Sequence, residues 1–107
     1  MPRALTTSDP FNAIAEPRRR HILEFIAADE RSVGEIAEAL ELGQPSVSKH
    51  LNVLRNVDLV TLRRDGRRIL YRANAQTLKT IHDWSGMFAR HWRGQLGRIK
   101  AHAEEKR

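Results

Sequence analysis

The sequence predicts a single, mainly α-helical domain that carries one small β-hairpin. Three observations predict it. Most of the chain reads as short amphipathic helices, each announced by a helix-start signal. One Asp-Gly pair, Asp65-Gly66, separates two alternating runs, which is a hairpin signal. And 107 residues, 40% hydrophobic and 30% charged, suit one globular core rather than two or a disordered tail.

Asp9-Pro10 opens the first helix, with Asp as N-cap and Pro in the first turn. Phe11, Ala13 and Ile14 give it a short apolar face; residues 1–8 are expected to be a flexible N-terminus. Glu16-Pro17 ends that helix and starts a second over about Pro17–Ala28, because the residue before proline is pushed out of the helical region. Its buried stripe is Ile22, Leu23, Phe25 and Ile26. Arg18, Arg19 and Arg20 sit in its first turns, where they oppose the helix dipole. They are either a solvated face packed on neighbours, phosphate contacts, or partners in interface ion pairs.

Ser32-Val33-Gly34-Glu35 has capping-box spacing. The helix it opens carries Val33, Ile36, Ala37 and Leu40 and ends near Gly43. Gln44-Pro45-Ser46 then begins a helix to about Val57, apolar at Val47, Leu51 and Leu54 and widened by Val53 and Val57. Two short helices joined by a Gly-containing turn form a helix-turn-helix pattern. The second has an unusual polar face, Ser48, Lys49, Asn52 and Asn56, with no acidic residue before Asp58. Such side chains reach base edges and phosphates in a major groove.

With Asp65-Gly66 as a two-residue turn, Leu62 is expected opposite Ile69 and Val60 opposite Tyr71, all four on one face that packs on the helices. Arg63, Arg64, Arg67 and Arg68 gather at the tip. Four guanidinium groups at one turn exceed what an edge strand needs for solubility. They are read as contacts to a nucleic-acid backbone or minor groove. The last segment opens at Asn74 and reads as one long helix to about Glu104. Leu78, Ile81, Ser85, Phe88, Trp92, Leu96 and Ile99 recur at helical steps, with Trp84 and Met87 broadening the stripe. A chain this small cannot cover so long a stripe, so a symmetric dimer is expected to cover part of it.

Charge and composition narrow the function. The net charge is +6 and cysteine is absent. The first favours a polyanionic partner, nucleic acid before a membrane surface. The second excludes disulfides, thiolate metal sites and thiol nucleophiles. No apolar run spans a bilayer and MPRALTTSDP lacks a secretion signal, so the expected location is cytoplasmic, with no membrane partner. No Gly-rich phosphate loop or nucleophile–base pair points to an enzyme, and Ser48 and His50 point in different directions on one helix.

The run Val33…Gly43-Gln44-Pro45-Ser46-Val47-Ser48-Lys49-His50-Leu51…Leu59-Val60…Arg63-Arg64-Asp65-Gly66-Arg67…Tyr71 resembles the ArsR/SmtB family of winged helix-turn-helix repressors. The resemblance covers about Phe11 to Ala73. It implies a winged helix-turn-helix, homodimeric through its first and last helices, that binds a pseudo-palindromic double-stranded DNA operator. It divides the single domain into a DNA-binding core over 9–73, with the wing at 59–73, and a C-terminal dimerisation helix over 74–104. It places DNA contacts at Gln44, Ser46, Ser48 and Lys49 with the wing arginines beside them; Asn52 joins them from the polar face. The dimer interface is expected at Phe11, Ile14, Leu78, Ile81, Trp84, Phe88, Trp92 and Leu96. The aromatics Trp84, Phe88 and Trp92 are interface core or the lining of a small-molecule pocket. His50 is a packed, hydrogen-bonded histidine or a base reader.

Many relatives in that family sense metals. Where their thiolate site has a Cys-x-Cys pair this chain has Ser32 and Gly34. A second family site lies on the last helix, where this chain offers His82, Asp83, His91 and His102. No two of these histidines are three or four residues apart, so none share a chelating face. The expectation is no metal and no cofactor, as in the family's branch without known metal sites. A metal-responsive repressor, with ligation by His82, Asp83 and His91 across the dimer, and a winged-helix protein-interaction module are the alternatives.

Overall fold

The computed structural model describes residues 9–105, with side chains through Ile99. The expected flexible segment 1–8 and the side chain of His102 lie outside the described residues. The elements run α1 (Pro10–Ala13), α2 (Pro17–Ala27), α3 (Val33–Leu40), α4 (Gln44–Asn56), β1 (Val60–Asp65), β2 (Arg68–Ala73), α5 (Ala75–Gly86) and α6 (Ala89–Glu105). The fold class is the expected one, mainly helical with a two-stranded antiparallel hairpin.

The local signals act where their chemistry allows. Asp9 Oδ1 accepts from the Phe11 amide at 2.8 Å and starts α1. The Glu16 side chain caps α2, and the amide it accepts from Arg18 holds its carboxyl below the usual range. Ser32 and Glu35 form the reciprocal capping box of α3. The α2–α4 core is closed by Ile22, Ile26, Ile36, Val47, Leu51, Leu54 and Leu59, each at most 1% exposed.

The end of α3 differs from expectation. It stops at Leu40, three residues before Gly43, and Glu41 takes the left-handed conformation (φ 56°). The Leu42 amide reaches back to the Ala37 carbonyl at 2.9 Å, a bond that satisfies an orphan carbonyl and turns the chain toward α4. Asp58 (φ 61°) does the same after α4, with the Leu59 amide on the Leu54 carbonyl at 2.9 Å.

The hairpin register also differs. Leu62 pairs with Tyr71, Val60 with Ala73, Arg64 with Ile69 and Asp65 with Arg68. The two-residue turn is therefore Gly66-Arg67, with Gly66 at φ +64°. A tight hairpin needs a left-handed first central residue, and glycine takes that place without strain. Asp65 thus becomes the last residue of β1. Val60, Leu62, Ile69 and Tyr71 still share a face, but Ile69 is 39% exposed there, while Leu70 on the other face is buried at 7%. Arg31 joins the far edge of β2 through paired backbone bonds with Tyr71 at 3.0 and 2.8 Å.

The single C-terminal helix is interrupted. Met87 and Phe88 lie outside α5 and α6, and their amides turn to the carbonyls of Trp84 and Ser85 at 3.2 and 3.1 Å. The break follows Ser85-Gly86, a pair that weakens a helix through glycine's backbone freedom and serine's competing hydrogen bonds. Among the described residues no helix is long and apolar enough to cross a membrane.

Candidate nucleic-acid interface

The geometry of α4 follows from its sequence period. Val47, Leu51 and Leu54 are buried at 0–1%, which anchors one face in the core. Gln44, Ser48, Asn52 and Asn56 are four residues apart and form an exposed row on the other. Lys49 is exposed beside that row and Ser46 is half-buried. Gly43 has no side chain to cap α4, so the first-turn amides lack a side-chain acceptor. An uncapped, acid-free helix start favours an anion.

His50 is half-buried. Burial first, then the Arg19 guanidinium, hold its imidazole below the ordinary value, against an opposing pull from Glu16. The packing in the expectation is present, and among the described residues the imidazole has no hydrogen-bond partner.

Two arginines of the triplet serve the neighbouring helix. Arg19 Nε donates to the Ala13 carbonyl at 2.6 Å, and Arg20 Nη1 donates to the carbonyls of Ile14 and Ala15 at 2.8 and 3.1 Å. Arg18 lies 3.8 Å from Glu16. Guanidinium groups at the carboxyl end of α1 satisfy its last carbonyls and favour its dipole, which offsets their unfavourable place in α2.

The four tip arginines do not act alike. Arg63 Nε and Nη2 donate to both carboxylate oxygens of Glu30 at 2.7 and 2.8 Å, and Arg68 Nη2 donates to Glu35 at 2.7 Å. The Arg63 bond holds the Glu30 carboxyl below its usual range. Arg64 and Arg67 are exposed and make no ion pair among the described residues. Sequence reasoning missed Glu30 and Glu35 because each lies 33 residues from its partner. It missed Leu70 by assigning the hairpin one buried face. The run Ile69-Leu70-Tyr71, apolar on both faces, was the signal that could have found it.

The expected dimer residues divide as well. Ile14, Leu78 and Ile81 pack against the core. Phe11 meets Trp84 edge-to-face at 5.2 Å, and Trp84 meets Phe88 at 5.2 Å, so first and last elements touch within one chain. Trp84, Phe88, Trp92 and Leu96 nevertheless remain 40–65% exposed, as do Met87 and Ile99 at 71% and 65%. Among the described residues of the single chain, no three His, Cys, Asp or Glu side chains gather where an ion would sit.

Comparison with known proteins agrees with this arrangement. The family model described as "Bacterial regulatory protein, arsR family" matches residues 16–61, from the start of α2 into β1. The transcriptional repressor SdpR of Bacillus subtilis is 35% identical over 74 residues, 69% of this chain and 82% of that one. Two further curated relatives are spanned over only 53% and 57% of their own length. An ArsR-like transcriptional regulator from Rhodococcus sp. RHA1 superposes with a TM-score of 0.70 at 26% identity, covering 94% of each chain. The homodimeric winged helix-turn-helix DNA-binding domain of a possible ArsR-family regulator from Mycobacterium bovis superposes at 0.64 with 30% identity, covering 77% of each. With an acid-free α4, a basic hairpin and these relatives, the chain belongs to the arsR family of bacterial regulatory proteins: it is a winged helix-turn-helix transcriptional regulator and not an enzyme.

Proposed function

We propose that the protein is a homodimeric repressor that recognises a specific, pseudo-palindromic duplex and is not gated by metal. The observation that carries the reading is α4: a helix whose apolar face is fully buried while Gln44, Ser48, Lys49 and Asn52 stand exposed with no carboxylate among them. Gln44, Ser48 and Asn52 read base edges; Ser46, Lys49 and the wing contact the backbone. Two copies related by a twofold axis place their α4 helices about 34–36 Å apart, one turn of duplex. The uncovered Trp84, Phe88, Trp92 and Leu96 surface supports that pairing, as does the homodimeric M. bovis relative. Independence from metal is supported by Ser32 and Gly34 at the family's thiolate positions and by His82 and His91 falling on different helices.

Selection of duplexes from a random pool tests the reading. A single enriched two-fold site is expected. If about six to ten phosphates are neutralised per dimer, affinity for it falls roughly 10³–10⁵-fold between about 50 and 200 mM salt. A flat salt dependence, or no enriched sequence, overturns DNA recognition. Release of the selected duplex by zinc or nickel overturns the metal-independent part alone.

A further inference from the structure

We propose that Arg63 and Arg68 are positioning residues that strap the wing to the α2–α3 connection through Glu30 and to α3 through Glu35, and that the wing meets DNA through Arg64 and Arg67. This rests on the DNA-binding reading above and divides the labour within it.

The division follows from strand alternation. Successive side chains of β1 point to opposite faces. Arg63 is paired with buried Leu70, and Arg64 with half-exposed Ile69, so the two neighbours point opposite ways. Arg68 is two residues before Leu70 and lies on the Arg63 side. That side faces Glu30, just before the Arg31–Tyr71 bridge, and Glu35, in the first turn of α3. Gly66-Arg67 forms the turn itself, which leaves Arg67 at the outermost point of the hairpin.

The two links are built rather than incidental. Arg63 grips both Glu30 oxygens, and a two-point fork fixes the guanidinium plane as well as its distance. Glu35 is itself held by the capping box, where its carboxylate accepts the Ser32 amide at 2.9 Å. Arg68 is therefore tied to a carboxylate that the helix start has already oriented. A two-stranded hairpin is marginal alone. Here the Arg31–Tyr71 backbone bonds hold its base and the two ion pairs hold it further out. A phosphate approaching Arg63 must displace a bidentate carboxylate; one approaching Arg64 or Arg67 displaces only water.

The test turns on a sign. Glu30→Gln adds one positive charge per subunit. If Arg63 is a strap, the full-length variant binds the selected duplex severalfold more weakly, with the slope of log affinity against log salt unchanged. If Arg63 is a phosphate contact restrained by Glu30, the variant binds more tightly with a steeper slope, which overturns the proposal. Glu35→Gln serves as the second variant, since glutamine also completes a capping box and leaves the helix start intact; weaker binding is again expected. Arg64→Ala and Arg67→Ala should each reduce the slope by about 0.9 for every phosphate left without its arginine, or about 1.8 per dimer. An unchanged slope in both overturns their assignment. Amide hydrogen exchange of Arg63 and Leu70, the hydrogen-bonded cross-strand pair, in Glu30→Gln reads the strap without DNA: faster exchange supports it and unchanged exchange overturns it. A wild-type protein without salt-sensitive duplex binding would sink the DNA reading, and the exchange result would still decide the strap.

Discussion

Replacing Trp92 by alanine should take the dimer apart while leaving the subunit folded. Trp92 is 52% exposed in the single chain. A tryptophan contributes about 150–250 Å² of buried surface when covered, so roughly 100 Å² of this ring awaits a partner. At about 25 cal/mol per Å², covering it is worth about 2.5 kcal/mol. A twofold axis places two copies in the interface, so the double loss is about 5 kcal/mol, or roughly 10³–10⁴ in the dimer dissociation constant. Sedimentation velocity over a concentration series reads that constant directly. Circular dichroism supplies the control, because Trp92 has no part in the α2–α4 core. Affinity for the twofold duplex should fall with dimerisation, since one α4 alone reads half a site. A Trp92→Ala protein that dimerises within about tenfold of wild type, against the 10³–10⁴ expected from the buried ring, would refute the reasoning, and with it the interface role of the exposed stripe.

Three further outcomes are expected. Gly94→Ala and Gly97→Ala should each stabilise α6 by about 0.5–1 kcal/mol in thermal melts, because an added Cβ meets nothing within 4 Å at either site; destabilisation would mean the partner helix crosses there in close contact. Ser32→Ala removes the acceptor for the Glu35 amide and should cost about 1 kcal/mol in denaturant unfolding. His50 is held below its ordinary value near 6.5 by burial and Arg19, with Arg18 and Lys49 acting the same way and Glu16 opposing. The unfolded chain therefore takes up that proton first, so this stability is full above about pH 6.5 and is lost as pH falls through the folded value. His50→Gln should flatten unfolding midpoints measured across that window; an unchanged pH profile would remove His50 from the account.

What could be read from the sequence was what depends on neighbours along the chain. The caps at Asp9 and Ser32, the helix start at Glu16-Pro17, the core stripe of α4 and the existence of the hairpin all rest on spacings of one to four residues. The errors have local causes of their own. Asp-Gly signals a turn, but Gly66 serves as its first central residue rather than its second, and every cross-strand partner moves with it. The stripe from Leu78 to Ile99 keeps a helical period through Ser85-Gly86, so periodicity could not reveal the break at Met87. The roles of the arginines were the least legible. Arg19 and Arg20 serve α1 carbonyls, and Arg63 and Arg68 serve carboxylates 33 residues away; both depend on how separate elements pack.

Net charge hides the arrangement that matters most. Asp29, Glu30, Glu35, Glu38 and Glu41 gather in and around α3, while α4 carries no acidic residue. Two helices joined by the short turn Glu41-Leu42-Gly43 therefore present opposite signs. On the proposed function, a duplex is attracted to one and repelled by the other, and the field orients the subunit before any base is read. The same acidic cluster draws Arg63 and Arg68 inward and leaves Arg64 and Arg67 outward. On that reading, Glu38 and Glu41 oppose the wrong approach while Glu30 and Glu35 set the wing for the right one, a division of sign that a total of +6 does not reveal.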